Sequence, residues 1–86
     1  MNIIISAKGV EDEEVKDRLY NGLEETLDRF EEKILRVQGR LEDAQHGANK
    51  VCQINVKMRK KDSVIIKETS NSFTTCVDSA LNRLKL

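Results

Sequence analysis

Val51-Cys-Gln-Ile-Asn-Val-Lys-Met-Arg59 alternates from Cys52 onward: Cys52, Ile54, Val56 and Met58 are apolar, and Gln53, Asn55, Lys57 and Arg59 are polar or basic. A period of two sends successive side chains to opposite faces of a strand, so this stretch predicts a strand with one face in a core and one basic, amide-rich face in water. The same pattern runs from Leu35 to Glu42, where Arg36, Gln38 and Arg40 interleave with Leu35, Val37, Gly39 and Leu41. A further strand is predicted over Ser63 to Thr69. Only Lys60-Lys61-Asp62 separates it from the 51–59 strand, a gap short enough for a hairpin, so these two should pair antiparallel.

Upstream, Ile3 to Ala7 is a short β-branched run closed by Lys8-Gly9, which reads as a first strand; no basic segment precedes it, as a signal peptide would require. Glu11, Asp12, Glu13 and Glu14 follow, and acids in a first turn complement the positive end of a helix dipole. Val15, Leu19, Leu23, Leu27, Phe30 and Ile34 then recur every three or four residues, the stripe of an amphipathic helix. Asp12 with Lys16, Glu14 with Arg18 and Glu25 with Arg29 stand at i,i+4. Gly22 should cost this helix roughly 1 kcal/mol relative to alanine. Asp43 to Asn49 is a polar, glycine-containing loop, and Ser70-Asn71-Ser72 offers helix caps before Phe73, Cys76, Val77, Ala80, Leu81 and Leu84, again at helical spacing. The order is β-α-β-β-β-α. It predicts an α+β fold, one two-layer domain over residues 1–86, with a four-stranded sheet and two helices on one of its faces.

That packing assigns the faces. Val37, Leu41, Cys52, Ile54, Val56, Val64 and Ile66 should lie under the helices, leaving Arg36, Arg40, Lys57, Arg59 and Lys67 with Gln38, Gln53 and Asn55 on an open face, interrupted by Ile65. Lys50, Lys60 and Lys61 extend the positive charge around the loop ends. The net charge of zero conceals this division: residues 1–32 carry 10 acids and 4 bases, and the other 54 residues carry 5 and 11. A cationic, amide-bearing face without opposing carboxylates is a surface for a polyanion such as nucleic acid.

Composition excludes several other classes. With 86 residues, 38% of them hydrophobic and 35% charged, the chain makes one small soluble domain with little room for a shielded catalytic pocket. No apolar run approaches the ~20 residues needed to cross a bilayer, so no membrane partner is expected. Cys52 and Cys76 are expected to be buried and reduced in a cytoplasmic protein. His46 is the sole histidine, and with the two cysteines at irregular spacing it makes no zinc pattern. Ser70, Ser72, Thr74 and Thr75 lack a histidine base, and no glycine-rich phosphate loop occurs. The expectation is a non-enzymatic protein with no cofactor, no metal and no small-molecule substrate. Tyr20, Phe30 and Phe73 are all assigned to helices, so the sheet lacks the stacking platform of an RNA-recognition motif. The segment Asn71-Ser-Phe-Thr-Thr-Cys-Val likewise lacks the basic helix start of a double-stranded RNA domain.

The element order, the segment Lys50-Val-Cys-Gln-Ile-Asn-Val-Lys57 and the segment Thr75-Cys-Val-Asp-Ser-Ala-Leu-Asn-Arg-Leu84 resemble the ribosome hibernation-promoting factor family, also called ribosome-associated inhibitors. In that family the last helix carries a Tyr-Ala-Ala-Ile-Asp-type motif and continues to Asp-Lys-Leu; Asp78 matches its first acid, Arg83 stands at the lysine and Leu84 at the leucine. The resemblance implies a factor that docks on the small ribosomal subunit, contacts ribosomal RNA phosphates and restrains translation under dormancy or stress. Arg36, Arg40, Lys50, Lys57, Arg59, Lys60, Lys61, Lys67 and Arg83 are the candidate RNA-binding residues. The chain departs from the family at Leu23-Glu24-Glu25-Thr26, where members carry lysines, at Thr74, where the motif has tyrosine, and beyond Lys85-Leu86, where members continue into a basic stretch. The separate dimerisation domain of the long forms is also not expected here. An alternative use of the same fold is a protein-interaction module working through the acidic first helix or a sheet edge.

Overall fold

The computed structural model describes residues 1–7, 9–43 and 49–84. Its elements are β1 (Ile3–Ser6), α1 (Glu13–Leu27), a 3₁₀ segment (Asp28–Lys33), β2 (Ile34–Asp43), β3 (Lys50–Met58), β4 (Val64–Ser70) and α2 (Phe73–Arg83). The sheet has the order β1-β2-β3-β4. β1 runs parallel to β2, while β2 with β3 and β3 with β4 are antiparallel, the second pair through the expected hairpin. Both helices cover the same sheet face, as the α+β reading requires, and no helix among the described residues is long and apolar enough to cross a membrane.

Helix α1 begins where its cap chemistry dictates. Asp12 is the N-cap, and its Oδ1 accepts the backbone N–H groups of Glu14 and Val15 at 3.0 and 3.3 Å. The helix buries Val15, Leu19, Leu23 and Leu27, a row of four-residue steps that lies along one face. Each fully buried leucine contributes about 1.5–3 kcal/mol relative to an exposed one. α2 starts likewise: Ser72 caps it through Oγ, which accepts from Thr75 N at 3.4 Å, and Cys76, Val77 and Ala80 face the sheet. Val37, Leu41, Cys52, Ile54, Val56 and Ile66 complete the core from below, with Val64 half-buried beside them.

The structure corrects the expected end of the first helix. Phe30 and Ile34 continue its apolar spacing, yet α1 stops at Leu27, the chain tightens into the 3₁₀ segment, and Ile34 is the first residue of β2. There it is 3% exposed, whereas Leu35, which regular alternation would bury, is 44% exposed. The cause is a register shift between Ile34, opposite Met58, and Arg36, opposite Lys57. One extra residue in the bulged strand reverses the face assignment at that point. Two glycines have packing reasons. A Cβ on Gly22 would collide with the Leu81 side chain of α2, and one on Gly39 would stand 2.9 Å from both Ile5 and Leu19. Glycine at these sites lets α1 approach its neighbours closely, which offsets the propensity cost at Gly22.

Candidate nucleic-acid interface

The ladder registers define the open face row by row. Ile4, Gln38, Asn55 and Ile65 form one row across all four strands, since Ile4 pairs with Gln38, Gln38 with Asn55 and Asn55 with Ile65. The next row is Ser6, Arg40, Gln53 and Lys67. On the other side of the Gln38–Asn55 pair stand Arg36 and Lys57, themselves directly opposed. Arg59 follows Lys57 at the end of β3, its backbone N–H donating to the Lys33 carbonyl at 2.9 Å, and exposed Lys60 and Lys61 turn the hairpin beside it. Arg36, Arg40, Lys57, Arg59 and Lys67 are all exposed. They therefore lie together on the face that neither helix covers, as the strand alternation implied.

Two candidates lie elsewhere. Lys50 shares the helix side of the sheet with its register partner Ser70; its Nζ bonds Asp43 Oδ2 at 2.7 Å and sits 5.5 Å from the Phe73 ring centre. Arg83, on α2, reaches Glu68 Oε1 at 3.4 Å. Both extend positive charge at the sheet's rim and not on the open face. His46 and most of the 43–49 loop lie outside the described residues.

The expectation of a face without carboxylates needs correction. Glu42 shares the outward side of β2 with Arg40, and its Oε2 stands 3.8 Å from Arg40 Nη2. The same alternation, carried one step past Leu41, puts Glu42 on the face of Arg40. Among the described residues Arg36, Lys57, Arg59 and Lys67 have no ion-pair partner, and Gln38, Gln53 and Asn55 make no side-chain hydrogen bond within the protein.

The acids occupy the opposite layer. Glu13, Glu14, Asp17, Glu24 and Glu25 are exposed on α1. The sequence's charge division thus becomes a division across the thickness of the domain, which orients an approaching polyanion toward the sheet. The expected i,i+4 pairs give way to other partners: Asp12 caps the helix, Lys16 bonds Glu13 at 3.0 Å, and Arg18 bonds Asp78. That guanidinium holds the Asp78 carboxyl below its ordinary range.

Cys52 and Cys76 are buried and free. Cys76 Sγ donates to the carbonyls of Glu68 and Lys50 at 3.0 and 3.2 Å, and burial pushes the Cys52 thiol up to about 12. Such thiols behave as small apolar groups, not nucleophiles. Among the described residues no three His, Cys, Asp or Glu side chains converge to hold a metal ion.

Residues 3–86 match the family described as sigma 54 modulation protein / S30EA ribosomal protein. The fold is also that of the N-terminal domain of Protein Y from Thermus thermophilus, at 21% identity and a TM-score of 0.76, with 96% of this chain and 90% of that one covered. A ribosomal subunit interface protein from Coxiella burnetii superposes with a TM-score of 0.71 at 19% identity, covering 96% of this chain and 88% of that one. No protein with a curated description matches this chain. The family resemblance carried by the 50–57 and 75–84 segments is thereby established, and the chain belongs to the hibernation-promoting factor family, that of the sigma 54 modulation and S30EA proteins.

Proposed function

We propose that this family member binds the small ribosomal subunit through ribosomal RNA phosphates and thereby restrains translation under dormancy or stress. The observation that carries the reading is the open sheet face, where Arg36, Arg40, Lys57, Arg59 and Lys67 stand exposed and four of the five have no carboxylate partner among the described residues. Cations already neutralised by carboxylates would release few counterions from RNA; these are free to do so. The family membership supports the ribosomal partner, and the structural relatives named for Protein Y and for a ribosomal subunit interface protein share the fold. Among the described residues the buried thiols are held protonated, and Glu13, Glu14, Asp17, Glu24 and Glu25 lie exposed on α1, away from the cationic face.

Co-sedimentation with purified small subunits over a salt series tests the reading. The wild-type protein should pellet with subunits at low salt and dissociate as salt rises. Replacing Arg36, Arg40 and Lys57 by alanine should weaken binding and flatten the slope of log K against log salt by up to ~0.9 per lost duplex contact. A folded triple variant that binds with unchanged slope would overturn the sheet-face reading. Retention by a ribosome-free protein fraction, insensitive to salt, would instead point to α1 or a sheet edge as a protein-docking element.

A further inference from the structure

From the arrangement of the open face we infer that its preferred ligand is A-form duplex RNA, entered from the minor groove, an assignment that deepens the ribosomal RNA reading and rests on it. The two cationic rows, Arg36 with Lys57 and Arg40 with Lys67, are four residues apart along β2. At ~3.3 Å per residue that separates them by about 13 Å. Between them runs the row of Ile4, Gln38, Asn55 and Ile65, with the two amides at its centre and the two exposed aliphatic side chains at its ends. Positive rows flanking an uncharged, hydrogen-bonding row match a groove, with its two phosphate rims and its floor.

The width of the face selects the groove. A B-form minor groove about 6 Å wide is too narrow for rows set this far apart, and a B-form major groove, about 12 Å wide and 8.5 Å deep, admits a helix or a two-stranded ribbon but not a four-stranded sheet, which at ~4.8 Å per strand spacing is about 14 Å across. The minor groove of A-form RNA is wide and shallow, and it exposes the 2′-hydroxyls. Gln38 and Asn55 each offer a donor and an acceptor to such hydroxyls, and neither amide is occupied by a protein partner among the described residues. Single-stranded RNA fits less well, because it is held largely by stacking on aromatic rings. Tyr20 lies on α1, Phe73 on α2 and Phe30 in the 3₁₀ segment, so none belongs to a strand.

The experiment measures binding of the full chain to an RNA duplex of about 16 base pairs, to the DNA duplex of the same sequence and to one RNA strand alone, each over a salt series. The RNA duplex should bind tightest. Gln38→Ala with Asn55→Ala should cost about tenfold on the RNA duplex, little on DNA, and leave the salt slope unchanged, since it removes hydroxyl contacts and no phosphate contact. Arg36→Ala with Lys57→Ala should lower the slope on both duplexes. Equal or tighter binding of the single strand, or an RNA-over-DNA preference that survives loss of both amides, would overturn the assignment. If the duplex preference is absent while small subunits still bind with salt sensitivity, this inference falls and the ribosomal reading stands. A clear duplex preference without subunit binding leaves the groove assignment standing and removes the ribosome.

Discussion

Arg18 on α1 grips Asp78 on α2 with two parallel hydrogen bonds, Nε to Oδ1 and Nη2 to Oδ2, each 2.9 Å long, between residues sixty positions apart. Fork-to-fork geometry of this kind fixes orientation as well as distance. Asp78 is also where the last helix meets the family's acidic motif position. Its work in this fold is to set two helices side by side, above the same strands that carry the cationic face on their other side.

That bridge has a pH signature. The Asp78 carboxyl is held below its ordinary value, first by the hydrogen bond from Arg18, so its contribution to stability is complete above the usual aspartate range near pH 4 and is lost as pH falls through the depressed folded value. Asp78→Asn should therefore be less stable than wild type in denaturant at pH 7, with the gap closing on acidification. An equal gap at pH 7 and in strong acid would exclude the ion pair as its source.

Gly39 supplies a test of the helix-on-sheet contact. Alanine has the better strand propensity, but its Cβ would stand 2.9 Å from Ile5 and from fully buried Leu19. Gly39→Ala should thus destabilise the domain by about 1–3 kcal/mol, the range for overpacking. In the Leu19→Ala background the same substitution should cost less, and additive losses would refute a direct clash.

Cys52 should resist labelling until the domain unfolds. Burial, followed by its neighbours Cys76 and Glu68, raises its thiol to about 12, so the neutral form stabilises the fold below the ordinary thiol range and that contribution is lost as pH climbs toward 12. Modification by a thiol reagent at pH 8 should follow the rate of unfolding. Rapid reaction of both cysteines in native protein would contradict their burial.

Charge substitutions should separate the two layers. Glu42→Gln frees Arg40 from the only carboxylate paired with a cation of the open face among the described residues, so RNA affinity should rise and its salt slope steepen. Glu24→Lys with Glu25→Lys changes α1, on the far side, and should strengthen subunit association only if that helix also meets RNA. Binding assays with isolated duplex and with whole subunits distinguish the cases: a gain on subunits alone places a second RNA contact at α1.

The sequence by itself determined the element order, the hairpin, the cap within Ser70-Asn71-Ser72, and the inward set from Val37 to Ile66, because periods of two and 3.6 are local consequences of backbone geometry. It also determined that Arg36, Arg40, Lys57, Arg59 and Lys67 share a face. Tertiary structure alone decided the fate of Ile34 and Leu35, since a bulge is chosen by the partner strand and by what the core must bury, not by spacing along one chain. It decided that Arg18 would leave Glu14 for Asp78, because an i,i+4 pair competes with any better-placed acid the fold brings near. It likewise sent Arg83 and Lys50 to the rim. Direction at strand ends and charge pairing between elements depend on neighbours distant in the chain, and only the folded packing supplies those neighbours.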